Sequence, residues 1–287
     1  MRVLGPFKKS FIMKSTIFIF MLLLTSALLL ACNQNPQPKT PPVEKPTDDS
    51  TSISAFSFIN EDGVLVKTRF NVPEGYKRIE SAPNTWESFL QNLPLKAHGA
   101  QVKLYNGTLK SNTSAYLAVV DLPIGNRNLH QCADAIMRLR ADFFNAQEKY
   151  SEIDFLFVTG RRSNYKTWLG TRQPNAKNYW AYLENVFNGA STLSLDKQLI
   201  HKEIDQLQIG DVFIKGGGPG HAVIVVDKCT NAKGEVKFML AQSFMPAQEI
   251  EILVNPVSSE SPWYDLNFGE FLNSPEYTFT KDQLKRF

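Results

Sequence analysis

Cysteine and histidine are scarce in this chain of 287 residues, which contains three cysteines and four histidines. The histidines are scattered, and the sequence has neither closely paired cysteines nor a His-Glu-x-x-His motif. Those patterns are the usual sources of zinc ligands, so we expect neither a structural nor a catalytic metal site. Nothing else in the sequence indicates a cofactor.

The cysteine content also excludes a disulfide-rich scaffold. Apart from Cys32, which directly follows an N-terminal apolar run, only Cys132 and Cys229 are present. They could form one disulfide in an oxidising compartment, but a single pair is not the framework that stabilises small secreted domains.

A strong excess of one charge sign is absent as well. Lysine and arginine total 31, aspartate and glutamate total 28, and the formal net charge is +3. Part of the excess comes from lysines in an N-terminal segment that we expect to be removed. The charge therefore gives no indication of a nucleic-acid partner.

A long apolar run occurs only near the N-terminus, at residues 17–31, where it follows Lys8, Lys9 and Lys14. It is too short for a comfortable transmembrane helix and is typical of a secretory signal peptide.

The signal ends in Leu-Leu-Ala-Cys at residues 29–32, which closely resembles the bacterial lipobox. That resemblance implies a signal peptide of residues 1–31, cleavage before Cys32 and a diacylglyceryl group on its sulfur. Acyl chains would attach the mature protein to a membrane of the cell envelope, on the periplasmic or outer-membrane face. The alternative is an ordinary cleaved signal with an incidental cysteine.

Residues 32–55 are rich in proline, threonine, lysine, aspartate and asparagine and contain almost no apolar side chains. Such a segment cannot bury enough surface to fold, so we expect a disordered tether. Residues 56–287 show no internal repeat and are predicted to form a single α+β domain. Its first part predicts an extension of strands, and residues 151–206 are a candidate insertion.

Four short aliphatic segments predict an antiparallel meander at residues 211–215, 221–227, 235–242 and 249–254. A short polar turn makes the second and third segments a hairpin. That hairpin brings His221 to within a residue or two of Gln242, on the same face of the sheet.

An imidazole whose second nitrogen meets a fixed amide oxygen is held in one tautomer, as a general base requires. The loop Gly-Gly-Gly-Pro-Gly at residues 216–220 leads into His221 and leaves the space before the ring free of side chains. It opens a strand and not a helix, which argues against a phosphate-binding loop. The alternative is a tight turn with a surface histidine.

A second informative segment has apolar positions at helical spacing over residues 129–149, with Asn128 as a candidate cap. Cys132 falls on its buried face, in or just past the first turn. There the free backbone amides and the helix dipole favour a thiolate. The alternative is that Cys132 is a small core residue. His130 does not face Cys132 on a helix and is expected to be exposed.

Together these segments resemble the papain-like NlpC-type and CHAP-type cell-wall peptidases and amidases. In those families a Gly-Asp strand precedes a loop and a strand that begins with histidine, as Gly-Asp-Val-Phe at 210–213 and His-Ala-Val-Ile-Val at 221–225 do here. The resemblance implies a papain-like α+β fold, in which an antiparallel sheet packs on a buried helix that carries the cysteine.

The same resemblance implies roles for individual residues. Cys132 would be the nucleophile, His221 the base, and Gln242 the residue that orients the imidazole; Gln248, just beyond, is the alternative third residue. The backbone amide of Cys132, with Gln131 or Asn128, would form the oxyanion hole.

Two features depart from the peptidase pattern. Those enzymes usually carry Asp-Cys-Ser or a near variant, whereas residues 131–134 here read Gln-Cys-Ala-Asp. The candidate insertion contains Trp168 and Arg172, which could line a groove for a peptide or glycan. Aromatic residues at helical spacing are, however, more often part of the core.

The whole domain also resembles an uncharacterised family of bacterial lipoproteins. Recurring pieces of that family match residues 131–142, 210–227 and 241–250. This resemblance implies a lipoprotein and the extent of the domain, and it implies no activity.

The expected function is therefore that of a lipid-anchored cysteine hydrolase of the cell envelope, acting on peptidoglycan stem peptides or another amide. One alternative is a catalytically inactive papain-like lipoprotein that binds a peptide or glycan. Another is a structural envelope lipoprotein unrelated in mechanism.

Overall fold

An antiparallel sheet of nine strands lies at the centre of this computed structural model, which describes residues 56–258 and 260–287. The expected signal peptide at residues 1–31, the tether at 32–55 and the lipidation site Cys32 lie outside the described residues. None of the described helices is both long and apolar enough to cross a membrane.

The described chain forms six α-helices and thirteen strands. The helices are α1 (Val66–Arg69), α2 (Trp86–Gln91), α3 (Cys132–Asn145), α4 (Tyr165–Leu169), α5 (Ala176–Gly189) and α6 (Thr192–Gln198). The strands are β1 (Tyr76–Arg78), β2 (Tyr116–Val119), β3 (Asp154–Leu156), β4 (Arg162–Asn164), β5 (Ile200–His201), β6 (Val212–Lys215), β7 (His221–Asn231), β8 (Val236–Gln242), β9 (Glu251–Leu253), β10 (Trp263–Asp265), β11 (Phe271–Asn273), β12 (Thr278–Thr280) and β13 (Leu284–Arg286).

Seven strands of the main sheet follow the order β2-β9-β8-β7-β6-β13-β5, while β1 pairs with β7 and β10 pairs with β8. Strands β6 to β9 therefore form the predicted antiparallel meander, which is confirmed. Strands β3 and β4, and strands β11 and β12, form separate two-stranded sheets. An open antiparallel sheet with packed helices makes the fold α+β.

The register of the β7–β8 hairpin differs from the predicted one by two residues. Ile224 pairs with Ala241, and a bulge follows between Val225 and Asp227. The turn causes the difference, since β7 continues to Asn231 and the chain reverses over the next four residues. Side chains alternate along a strand, so a shift of two leaves the side chains from His221 to Val225 on their predicted face. Beyond the bulge the shift is three, and Cys229 lies on the opposite face from Val223 and Val225.

The two faces of the sheet bury different partners. Helix α3 packs on the face that carries Ala222, Ile224 and Val226, within the larger hydrophobic core. The opposite face buries a second cluster in which strand residues such as Val223 meet Phe279 of the C-terminal segment. Because both faces are covered, the central strands are apolar on both sides, as buried strands require.

Helix α3 begins at Cys132, three residues later than predicted, and ends at Asn145. Asn128 does not cap it, because its side-chain oxygen accepts a hydrogen bond from the Ala247 amide at 2.8 Å. Gln131 is the N-cap residue, and Asp134 Oδ2 accepts a hydrogen bond from its backbone N–H at 3.1 Å. Cys132 is thus the first helical residue.

The candidate insertion, residues 151–206, forms the β3–β4 hairpin, helices α4 to α6 and strand β5. Its aromatic residues contribute to the main core: Tyr165 and Tyr182 are fully buried, with ring centroids 4.9 Å apart. Cys132 and Cys229 are both buried and free, so they do not form a disulfide.

The glycine-rich loop before β7 is tightly packed at one position. A Cβ atom on Gly220 would clash with the carbonyl oxygen of Gly217 and would lie 2.7 Å from that of Lys215. Gly218, two residues earlier, has nothing within 4 Å of the same position. The absence of a side chain at Gly220 therefore allows the loop to close before His221.

We predict that Gly220→Ala lowers the free energy of unfolding by roughly 1–3 kcal/mol, because the backbone must move to accept the methyl group. Urea denaturation of the full-length protein measures this change. Gly218→Ala is the matched control and should stay close to wild type. Equal stability of the two variants would contradict the close packing at Gly220.

Candidate functional site

His221 and Gln242 are hydrogen bonded to each other at one end of the central hairpin. His221 begins β7 and Gln242 ends β8, and the distance from His221 Nε2 to Gln242 Oε1 is 2.7 Å. With Oε1 of Gln242 facing the ring, that oxygen can only accept, and Nε2 then carries the proton. The lone pair of the imidazole is then on Nδ1, the nitrogen that remains available as a base.

The amide of Gln242 continues into a buried group of charged residues. Its Nε2 donates to Glu251 Oε1 at 2.8 Å and to Glu276 Oε2 at 2.7 Å. The ammonium of Lys110 lies 2.6 Å from each of the same two oxygens. Lys110, Glu251 and Glu276 form what we call the acid–lysine cluster.

Glu251 is the most deeply buried carboxylate of this cluster. It is fully buried, and burial raises its pKa to about 7, although Lys110 and the hydrogen bond from Gln242 both act to lower that pKa. Desolvation penalises the charged form of a carboxyl group, and the nearby ammonium offsets part of that penalty.

Aromatic rings cover the imidazole on several sides. Its ring centroid is 5.0 Å from that of Phe244, 5.2 Å from that of Tyr277 and 6.1 Å from that of Phe279. Only 2% of His221 is exposed. Burial lowers the pKa of His221 to about 4, so the ring is neutral at pH 7.

Cys132 lies at the N-terminus of α3, beside the peptide bond that joins His221 to Ala222. Burial raises the pKa of its thiol to about 11, while backbone hydrogen bonds from Ala133 and Ala222 act to lower it. The pKa of Tyr277 is raised by burial and by the charge of the nearby Cys132 sulfur. Within the described residues, Cys132 and His221 share no hydrogen bond.

A cavity of about 510 Å³ opens at Cys132. One wall is the start of α3 with Gln131, and the opposite wall is the glycine-rich loop at residues 217–220. Asn188, Thr192 and Met245 complete the rim, and His221 is not part of the lining. Asp134 is the one acidic or basic residue of this lining, and burial raises its pKa well above the usual value.

Comparison with protein families identifies the domain. Residues 66–286 match the family described as a domain of unknown function (4846). The chain belongs to this family. No curated protein matches the chain, and no solved structure matches it either. Family membership therefore assigns the domain and leaves its chemistry to the residues themselves.

The structure distinguishes Gln242 from Gln248, the two candidates for the residue that orients the imidazole. Gln242 contacts His221, whereas Gln248 does not. The backbone oxygen of Gln248 accepts a hydrogen bond from Ser243 Oγ at 2.8 Å and lies 3.2 Å from His130 Nδ1. The prediction that His130 is exposed is wrong: it is fully buried, because it packs in the loop before α3 against this segment and against Phe187.

Trp168 and Arg172 lie away from Cys132. The Arg172 guanidinium carbon is 3.8 Å from the ring centroid of Trp168 and covers one face of that ring. Trp168 lines a separate cavity of about 540 Å³, together with Arg161 and Asn185. Neither Trp168 nor Arg172 lines the Cys132 cavity.

Sequence reasoning missed the acid–lysine cluster. Glu251 lies in a predicted strand, but Lys110 and Glu276 come from loops that are distant in sequence. The one signal in the sequence was Glu251 itself, a glutamate between aliphatic residues in a strand that was predicted to lie beside buried strands.

Stability should respond to pH through His221. Its pKa is about 4 in the folded protein and near 6.5 when unfolded, so the unfolded chain alone binds a proton between these values. Folding stability is then lost as the pH falls from 7 to 5, by about 2 kcal/mol for this residue.

His221→Gln should remove that contribution, so its loss of unfolding free energy between pH 7 and pH 5 should be smaller than the wild-type loss by about 2 kcal/mol. Urea denaturation at the two pH values measures the difference. His201→Gln, at an exposed position, serves as the control and should follow wild type. Identical losses in all three proteins would contradict a buried neutral imidazole.

Proposed function

We propose that this protein is a papain-like cysteine hydrolase that cleaves an amide bond, with Cys132 as nucleophile, His221 as general base and Gln242 as the residue that orients the base. The observation that supports it most is the His221–Gln242 hydrogen bond, which leaves Nδ1 as the basic nitrogen. The Cys132 sulfur lies beside the peptide bond between His221 and Ala222, at the start of a helix.

The proposed reaction has two halves. The thiol proton of Cys132 moves to His221 Nδ1 while the sulfur attacks the carbonyl carbon, and Nδ1 then gives that proton to the leaving amine. In the second half, water gives a proton to Nδ1 and attacks the thioester, and the proton returns to the sulfur as the acid is released. Catalytic hydrogen bonds are often long without substrate, so the cysteine side chain would turn from the Ala222 amide toward Nδ1.

Stabilisation of the developing oxyanion is available at the helix N-terminus. The backbone amide of Cys132 is among the first helical donors, which have no partner within the helix. Gln131 Nε2 is a second candidate donor, since Gln131 lies in the cavity wall. Its hydrogen bond to Asn128 Oδ1 is 3.3 Å long and weak enough to be replaced by one to the oxyanion.

The cavity supports a substrate that carries little charge at the scissile bond. Its walls present side-chain amides, hydroxyls and the open backbone of the glycine-rich loop. These groups bind peptide amides by hydrogen bonds. A stem peptide of peptidoglycan fits this chemistry, and the lipobox-like sequence at Cys32 would hold the enzyme on a membrane of the cell envelope where that substrate occurs.

If His221 activates the thiol, the two residues are coupled in a labelling experiment. His221→Gln should slow alkylation of Cys132 by iodoacetamide at pH 7 roughly ten- to a hundredfold, the lower range of general-base effects. Peptide mass spectrometry measures the rate, and Cys229 in the same molecule is the internal control. Unchanged labelling of Cys132 in the variant would argue against a catalytic pair.

Activity itself can be read from muropeptides. Digestion by the wild-type protein should release peptides. With Cys132→Ala the rate of release should fall roughly a thousandfold or more, since the nucleophile is lost. Cys229→Ala removes a thiol from the far end of β7 and should retain activity. Chromatograms that are the same for wild type and Cys132→Ala would exclude this substrate class.

A catalytically inactive binding module is the second candidate, and specific contacts favour it. The thiol and the imidazole are both buried in their neutral forms, and aromatic rings cover His221. In that case the cavity would bind a peptide or glycan without cleaving it. Binding of muropeptides that is equal in wild type and Cys132→Ala, with no product from either, would support this function over hydrolysis.

A further inference from the structure

The side-chain amide of a glutamine does not by itself fix the tautomer of a histidine. Its oxygen accepts from a protonated nitrogen, and after a half-turn its NH2 group donates to an unprotonated one. The bond between Gln242 and His221 Nε2 would therefore be satisfied by either tautomer. Some further contact has to select the orientation of the amide.

The acid–lysine cluster supplies that contact. We infer that Glu251 and Glu276, held together by Lys110, are positioning residues that fix His221 as the tautomer protonated on Nε2. Above its pKa of about 7, Glu251 is ionised like Glu276. A carboxylate oxygen only accepts hydrogen bonds, and two such oxygens lie 2.8 and 2.7 Å from Gln242 Nε2. The NH2 group must face them, so Oε1 must face the imidazole.

Turning the amide would be costly because both carboxylates would then meet its oxygen. Each charge-assisted hydrogen bond would be replaced by a contact between two acceptors, in a site shielded from water. Gln242 is 1% exposed and Glu251 is fully buried, so solvent does not compensate. The orientation of the amide therefore determines which imidazole nitrogen carries the proton.

Lys110 makes the two carboxylates compatible with each other. Its ammonium lies 2.6 Å from both, and only 7% of the residue is exposed. Without a cation, one of the two acids would take up a proton and could then donate to the Gln242 oxygen. The rings of Tyr116 and Phe244 lie 6.0 and 5.6 Å from the same ammonium and shield it further.

The cluster is also anchored independently of Gln242. Asn112 Nδ2 donates to Glu276 Oε1 at 3.1 Å, which fixes the second oxygen of that carboxylate. The neighbouring Tyr277 packs on His221, and its hydroxyl donates to the Pro219 carbonyl oxygen at 3.1 Å. One short C-terminal segment therefore holds the imidazole, its loop and the orientation of its amide partner.

The catalytic meaning of this inference rests on the proposed function, but its test does not require activity. Nitrogen-15 NMR of the full-length protein distinguishes the two tautomers of a neutral histidine at pH 8. Loss of one signal in His221→Gln identifies His221 among the four histidines. Wild type should show His221 protonated on Nε2, and protonation on Nδ1 would overturn the inference without any need for a variant.

The variant that tests the cluster is Lys110→Met/Glu251→Gln/Glu276→Gln, which removes all three charges and leaves no buried charge unpaired. The ratio of Nδ1–H to Nε2–H forms at His221 should rise about tenfold or more, as expected when charge-assisted hydrogen bonds no longer select one orientation. Glu270→Gln, an exposed site on the same C-terminal segment, should leave the ratio unchanged.

A folded triple variant with the wild-type ratio would show that Gln242 is sufficient and would overturn the inference. The two proposals fail separately. If Cys132 is inert but the tautomer shifts in the triple variant, the hydrolase proposal fails and the positioning role stands. If the wild-type protein cleaves amides but the tautomer does not shift in the triple variant, the hydrolase proposal stands and the positioning role fails.

Discussion

The burial of a charged group beneath the sheet end is the constraint on which the site depends. Two carboxylates, an ammonium and an amide are withdrawn from water between the meander and the C-terminal segment. Removing charges from water is expensive, and such a group persists when its members pair closely, as these do at every carboxylate oxygen except Glu251 Oε2. That requirement leaves the amide of Gln242 one orientation, and this orientation sets the tautomer of His221.

The same constraint explains why the C-terminal segment is part of the site. Leu272 and Phe279 fill the second hydrophobic cluster, while Glu276 and Tyr277 between them reach the polar end of the strands. Apolar burial thus supplies the stability that offsets the desolvation of the charges. A change in the packing of this hairpin would be felt at His221, although most of the hairpin does not touch it.

The meander and the proximity of His221 to Gln242 followed from the sequence because strand alternation survives an even error in register. The start of α3 did not, since Asn128 is a good cap locally but binds a distant amide. Glu251 was missed for a similar reason. Alternation of glutamate with isoleucine predicts a face exposed to solvent, whereas here that face is covered by a segment from elsewhere in the chain.

Burial of both Cys132 and His221 in neutral form does not argue against transfer of a proton between them. Each pKa reflects the cost of forming one charge alone in a buried place. Proton transfer forms two opposite charges at once, and their attraction is strongest where water is excluded. The thiolate also meets the amide of Ala222 and the first amides of α3, and the imidazolium gains a charged hydrogen bond to Gln242. In the proposed hydrolase, the two groups would therefore be neutral at rest and would form a mutually stabilised ion pair once a substrate brings them together.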